Sequence, residues 1–136
     1  MPATVATTAN LPNLPIGLMV LVVDDDAAIA NLWQAILWNI PGLYAITASD
    51  GQEAVELARE LQPDVVLMDL MMPGTDGIAA TQRLKSDPRT ECIPVVAVTG
   101  ASGSFERAMA AGCDGYVLKP VSETQLIEGI RRALRW

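Results

Sequence analysis

Histidine is missing from this chain of 136 residues, and that absence removes several chemistries at once. The usual His-bearing zinc sites, a Ser-His-Asp triad and a phosphohistidine of the chain's own are all excluded. Cysteine is scarce. Cys92 and Cys113 form no Cys-x-x-Cys pair and no disulfide framework, so they read as reduced thiols of a cytosolic protein. Positive charge is also scarce: 9 Lys and Arg stand against 16 Asp and Glu, a net charge of −7. Direct nucleic-acid binding, which needs clustered cations to meet phosphates, is therefore not expected. Aromatic residues make up 4% of the chain, yet 51% is apolar, which suits a core of Val, Ile, Leu, Met and Ala.

Uninterrupted hydrophobic runs are lacking too. Residues 1–23 carry no charged side chain, but three prolines break them and their start lacks a basic stretch, unlike a signal peptide. Residues 27–49 are likewise uncharged, yet Pro41-Gly42 cuts them and Asn31, Gln34 and Asn39 dilute them. Neither supplies the roughly 20 apolar residues of a membrane-spanning helix. The expectation is a soluble, cytoplasmic protein without a membrane partner. At this length it is one domain.

Residues 1–17, rich in Ala, Thr, Pro and Asn, show no apolar period and read as a flexible N-terminal tail. From residue 18 to 136 an apolar run, a turn and a helical segment alternate five times, with runs at 18–23, 43–48, 65–68, 95–98 and 116–118. Runs without polar alternation mark strands buried on both faces. The first helical segment carries a stripe of Ile29, Leu32, Trp33, Ile36, Leu37 and Ile40. Asp50–Glu53 and Ser122–Gln125 have the spacing of capping boxes, and shorter helices are expected near 77–86 and 104–111. The sum is an α/β fold, a doubly wound sandwich around a parallel sheet.

The polar residues fall where such a sheet carries its ligands, at the carboxyl ends of the strands. Asp24 and Asp25 follow the first run, Asp69 the third, Thr99 the fourth and Lys119 the fifth. Alone, each has a structural explanation. A strand-end Asp can cap a helix, as Asp26 is expected to do; Thr99 can be a strand terminus, and Lys119-Pro120 loop punctuation. Together they put three carboxylates, a hydroxyl and an ammonium on one edge. Converging carboxylates repel one another unless a cation sits among them, and an open, oxygen-lined site suits Mg²⁺. A carboxylate can also serve as the nucleophile that forms an aspartyl phosphate, while a metal, Lys119 and Thr99 neutralise the charge of a transferring phosphoryl group.

Four segments, Val22-Val-Asp24-Asp25, Pro63-Asp-Val-Val-Leu-Met-Asp69-Leu-Met-Met-Pro73-Gly-Thr-Asp-Gly77, Val98-Thr99-Gly100 and Gly115-Tyr-Val-Leu-Lys119-Pro120, resemble the signature segments of response-regulator receiver domains, CheY-like proteins of two-component signalling. The resemblance runs from Leu18 to about Arg135. It implies a flavodoxin-like (βα)5 fold with strand order 2-1-3-4-5. It makes Asp69 the phosphoacceptor and Asp25 a direct Mg²⁺ ligand, with Asp24 assisting and Met71 lending its backbone carbonyl. Thr99 and Lys119 would contact the phosphoryl group, and Tyr116 would be the aromatic that moves with Thr99. The implied donor is a histidine kinase or histidine phosphotransfer protein. The downstream protein target is unknown, and a phosphorylation-dependent dimer is a further expectation.

Such a chain would be a phosphorelay switch rather than an enzyme, catalysing only its own phosphorylation and dephosphorylation. An Asp-nucleophile phosphatase and a non-phosphorylated interaction module remain alternatives. A start at Met1 favours a stand-alone regulator. The other reading is the receiver portion of a larger DNA-binding regulator or hybrid histidine kinase. Departures from the family pattern are mild: Gly100 stands where Ala is common, and Met71 and Ala101 leave the positions beside the site uncharged. Finally, Ala30, Gln34 and Trp38 share a line on the first helix, so Trp38 is either a docking anchor for the phosphodonor or packs on the loop around Pro41 or the tail.

Overall fold

The computed structural model describes residues 17–72, 77–100, 103–119 and 122–135. Residues 1–16 of the expected tail 1–17, the Pro73–Asp76 part of the signature, Ala101, Pro120 and Trp136 lie outside the described residues. Five strands form one sheet of order β2-β1-β3-β4-β5: β1 Leu18–Val23, β2 Leu43–Ala48, β3 Val65–Met68, β4 Val95–Thr99 and β5 Gly115–Leu118. All four pairings are parallel. The connecting helices are α1 Ala27–Trp38, α2 Gly51–Leu61, α3 Gly77–Lys85, α4 Phe105–Ala111 and α5 Glu123–Leu134. Among the described residues no helix is long and apolar enough to cross a membrane.

The strands read as continuous apolar runs because both sheet faces are covered. Leu21, Val23, Val66, Met68, Val95 and Ala97 pack with residues of α2, α3 and α4 on one face. Val20, Val22, Val65, Leu67, Val96 and Val98 pack with α1 and α5 on the other. Strand side chains alternate between faces, so a strand covered twice must be apolar at every position.

Local signals set the helix starts. Asp26 caps α1, accepting from the Ala28 and Ile29 N–H groups. Ser122 and Gln125 form a complete capping box at α5. At α2 the expected box is altered: Asp50 accepts from the Glu53 N–H, but the Glu53 carboxylate takes the N–H of Ser49 instead of that of Asp50.

The α1 stripe also needs correction. Ala30, Leu37 and Ile40 are buried and Trp33 packs against their cluster, a spacing of three, four and three that faces the sheet. Leu32 lies off that line and is 55% exposed. Ala30 therefore belongs to the core and not to a surface patch with Trp38. Trp38 is 57% exposed, yet its indole N–H donates to the Ala45 carbonyl at 2.9 Å, which also accepts from Gln34. Its ring leans on Tyr44 at 6.2 Å. It packs on edge strand β2 while more than half of its surface stays open to solvent.

Candidate functional site

The carboxyl ends of β1 and β3 are adjacent in the sheet, and this alone brings Asp24 and Asp69 together. The Asp24 N–H continues the ladder to Ala48, and the Asp69 N–H donates to the Val23 carbonyl at 2.9 Å. Both carboxylates are nearly covered, at 5% and 6% exposure. Asp24 is not a helix cap: its Oδ1 accepts the Asp26 N–H at 2.9 Å, turning the chain into α1. Asp69 Oδ1 accepts the Met71 N–H at 3.0 Å in the same kind of turn. Asp25 faces solvent. Ligand oxygens of Asp24, Asp25 and Asp69 all lie within 4.8 Å of one another.

Lys119 approaches from β5. Its N–H donates to the Thr99 carbonyl at 2.8 Å, which joins the ends of β4 and β5. Its Nζ lies 2.9 Å from Asp24 Oδ2 and 3.6 Å from Asp69 Oδ2. Burial opposes the Lys119 charge, but the Asp24 and Asp69 carboxylates outweigh it and hold the ammonium above its usual range. Burial raises the Asp69 carboxyl, and the Asp24 and Asp25 charges add to that. The Met71 N–H and Lys119 pull the other way without cancelling the rise. The site is thus short of positive charge, and its oxygen donors, one of them open to water, fit a hard divalent cation.

Thr99 closes β4 and is buried. Tyr116 is half-buried on β5, two strands from Asp69. The arrangement thus assembles Asp24, Asp25, Asp69 and Lys119 at one point, with Thr99 tied to Lys119 through the backbone. Met71 joins through its N–H, and its side chain is exposed.

Two residues go beyond the sequence-derived set. Gly77, which entered only as part of a signature, packs against the backbone of Asp69 and Leu70: a Cβ there would overlap the Asp69 carbonyl oxygen and stand 2.7 Å from Leu70 Cα. Ser104 carried no signal beyond that of a helix start, and its hydroxyl meets the Tyr116 hydroxyl at 2.9 Å. A glycine or serine looks the same in sequence whatever it touches, so neither contact was legible there.

The model of the response regulator receiver domain family matches residues 20–131. The chain belongs to that family. This receiver domain is 38% identical over 118 residues to the "Probable transcriptional regulator ycf27" of Guillardia theta, covering 85% of this chain and 45% of that protein. It therefore spans less than half of that relative's length. It is 37% identical over 117 residues to the "Polar-differentiation response regulator DivK" of Brucella anthropi, covering 85% of this chain and 94% of the relative. Among solved structures it superposes on the receiver domain of the sensor histidine kinase PA1611 from Pseudomonas aeruginosa PAO1 with a TM-score of 0.80 and 27% identity, covering 88% of this chain and 99% of that chain. That crystal structure is described as having a magnesium ion coordinated in the active site cleft. The strand order of this receiver domain is the one expected from its signature segments.

Proposed function

We propose that this receiver domain, with residues 18–136 as the folded unit and 1–17 as a tail, is a Mg²⁺-dependent phosphoacceptor switch of a phosphorelay, with Asp69 as the phosphoacceptor. The carrying observation is the convergence of Asp24, Asp25 and Asp69 within 4.8 Å beside the Lys119 ammonium. The acidic oxygens fit Mg²⁺, and Asp25, the exposed member, would hold it with Asp24, Asp69 and the Met71 backbone carbonyl. When bound, the metal supplies the positive charge that phosphoryl oxygens need during transfer.

The chain's own residues supply the rest. Asp69 Oδ1 is turned to the Met71 N–H, whereas Oδ2 lies 3.6 Å from the Lys119 ammonium, so Oδ2 is the natural nucleophile. It forms the new P–O bond as the donor's P–N bond breaks, and the released electron pair stays on the donor imidazole, which takes up a proton. The donor histidine must come from a partner, a histidine kinase or histidine phosphotransfer protein, because this chain has none. Lys119 neutralises a phosphoryl oxygen, and Thr99 offers its hydroxyl to another. Through the Lys119–Thr99 backbone bond the event reaches β4 and β5, where Tyr116 lies. The free thiols of Cys92 and Cys113 fit a cytoplasmic setting, and the only chemistry expected is the chain's own phosphorylation and dephosphorylation.

Incubation with acetyl phosphate and Mg²⁺, followed by intact mass, tests the reading. One phosphoryl group should be gained and slowly lost. D69N and metal removal should each abolish the gain. Labelling of D69N would remove the assignment, rapid turnover without a stable adduct would indicate a phosphatase, and inertness an interaction module.

A further inference from the structure

Ser104 stands at the N-terminal boundary of α4, where a serine ordinarily turns its hydroxyl back to the first amides of its own helix. Here it makes no such capping bond; its backbone φ of −89° and ψ of 0° are not those of an extended cap residue. The hydroxyl is instead 2.9 Å from the Tyr116 hydroxyl. Ser104 is buried at 6% exposure and the bond is partly shielded from water, which strengthens it. The next residue, Phe105, meets the same tyrosine edge-on, with ring centroids 5.3 Å apart and planes at 85°. Two successive residues at the start of α4 thus grip one side chain of β5, one through its hydroxyl and one through its ring.

Tyr116 is paired in register with Ala97 of β4, and three residues later the same strand delivers Lys119 to Asp24 and Asp69. A change in where the Tyr116 ring rests is therefore felt by the strand that carries the ammonium. We propose that Ser104 is a positioning residue of the switch, its hydroxyl setting where Tyr116 rests and, through Tyr116, how readily the acidic site accepts a phosphoryl group. This rests on the phosphoacceptor reading above and names a regulator of that site.

The chain contains a single Phe, so 4-fluorophenylalanine labelling yields one ¹⁹F resonance, at the ring that touches Tyr116. The test titrates the full chain with beryllofluoride, a phosphoryl mimic, at saturating Mg²⁺. S104A should displace that resonance before beryllofluoride is added; Y116F adds a second phenylalanine and is read by its beryllofluoride affinity. Each should change beryllofluoride affinity in the same direction by about three- to tenfold, the weight of one hydrogen bond. The double variant should change it no further than either single one, because both remove the same bond. S104T, which keeps a hydroxyl, should stay near the unsubstituted chain. Sharp ¹⁹F lines, one for S104A and S104T and two for Y116F and the double variant, verify that the fold is retained. Unchanged affinity in S104A, or factors that multiply in the double variant, overturns the proposal. No beryllofluoride binding by the unsubstituted chain overturns the phosphoacceptor reading and this inference with it.

Discussion

Gly77 and Asp69 are in backbone contact: the first residue of α3 sits where any Cβ would overlap the Asp69 carbonyl oxygen. The Gly77 N–H also donates to the Leu70 carbonyl at 3.3 Å, so α3 is docked directly on the strand end that carries the acid. Alanine would favour the helix by up to about 1 kcal/mol, but forcing a methyl into a closed contact costs about 1–3 kcal/mol. G77A should therefore be net destabilised by about 1–2 kcal/mol in urea unfolding, and its labelling by acetyl phosphate should slow. A variant as stable and as readily labelled as the unsubstituted chain would show that the contact relaxes freely.

Lys119 is a counter-ion for Asp24 and Asp69, so under the proposed function it would both compete with a metal and assist a phosphoryl group. K119M should bind Mg²⁺ about three- to tenfold more tightly at neutral pH, because a like charge has been removed. Its labelling by acetyl phosphate should fall by about 100-fold or more, because a donor to the developing charge is lost. Calorimetric Mg²⁺ titration and labelling rates measure the two effects separately. Weaker metal binding in K119M would contradict this account of the ammonium.

The raised carboxyl of Asp69 gives an unusual dependence of stability on pH. Burial, followed by the Asp24 and Asp25 charges, disfavours its ionised form. Between the unfolded value near pH 4 and the higher folded one, the folded state keeps a proton that the unfolded state has released. This contribution to stability therefore falls as pH rises through that interval. Without Mg²⁺, D69N should unfold at a higher urea concentration than the unsubstituted chain at pH 7, and the difference should shrink below pH 4. Added Mg²⁺ at 100 times its Kd should stabilise the unsubstituted chain by about 2.7 kcal/mol and D69N far less. Equal midpoints at pH 7 would mean that Asp69 carries no net penalty.

Asp87 should behave in the opposite sense. The Arg89 side chain and N–H hold its carboxyl well below the usual range, with Arg59 adding to them. Its contribution is present above the unfolded value and is lost as pH falls through the folded one. D87N should lower the urea midpoint at pH 7 and converge with the unsubstituted chain in strong acid, leaving acetyl phosphate labelling intact.

Trp38 should matter to the fold more than to chemistry. W38F keeps a ring beside Tyr44 but loses the indole N–H to Ala45, and should cost about 1 kcal/mol or less because Gln34 still donates to that carbonyl. Labelling by acetyl phosphate should be unchanged. A loss well beyond that value in urea unfolding would point to a larger role at the β2 edge.

The element order, the parallel sheet and the strand-end positions of Asp24, Asp25, Asp69, Thr99 and Lys119 were all legible in the amino-acid sequence. Apolar runs without alternation demand strands covered on both faces, and a polar residue directly after such a run must lie at its carboxyl end. Other features depend on atoms far apart in sequence. Which of Ile29, Leu32 and Ala30 turns inward follows from how α1 seats on the sheet, since a helix with apolar residues on several sides has several faces it could bury. Whether Trp38 is an anchor or a brace depends on the distance to Ala45 on the next strand. Gly77 against Asp69 and Ser104 against Tyr116 are likewise tertiary facts, because a missing side chain or a small hydroxyl gains meaning only from what stands within a few ångströms of it.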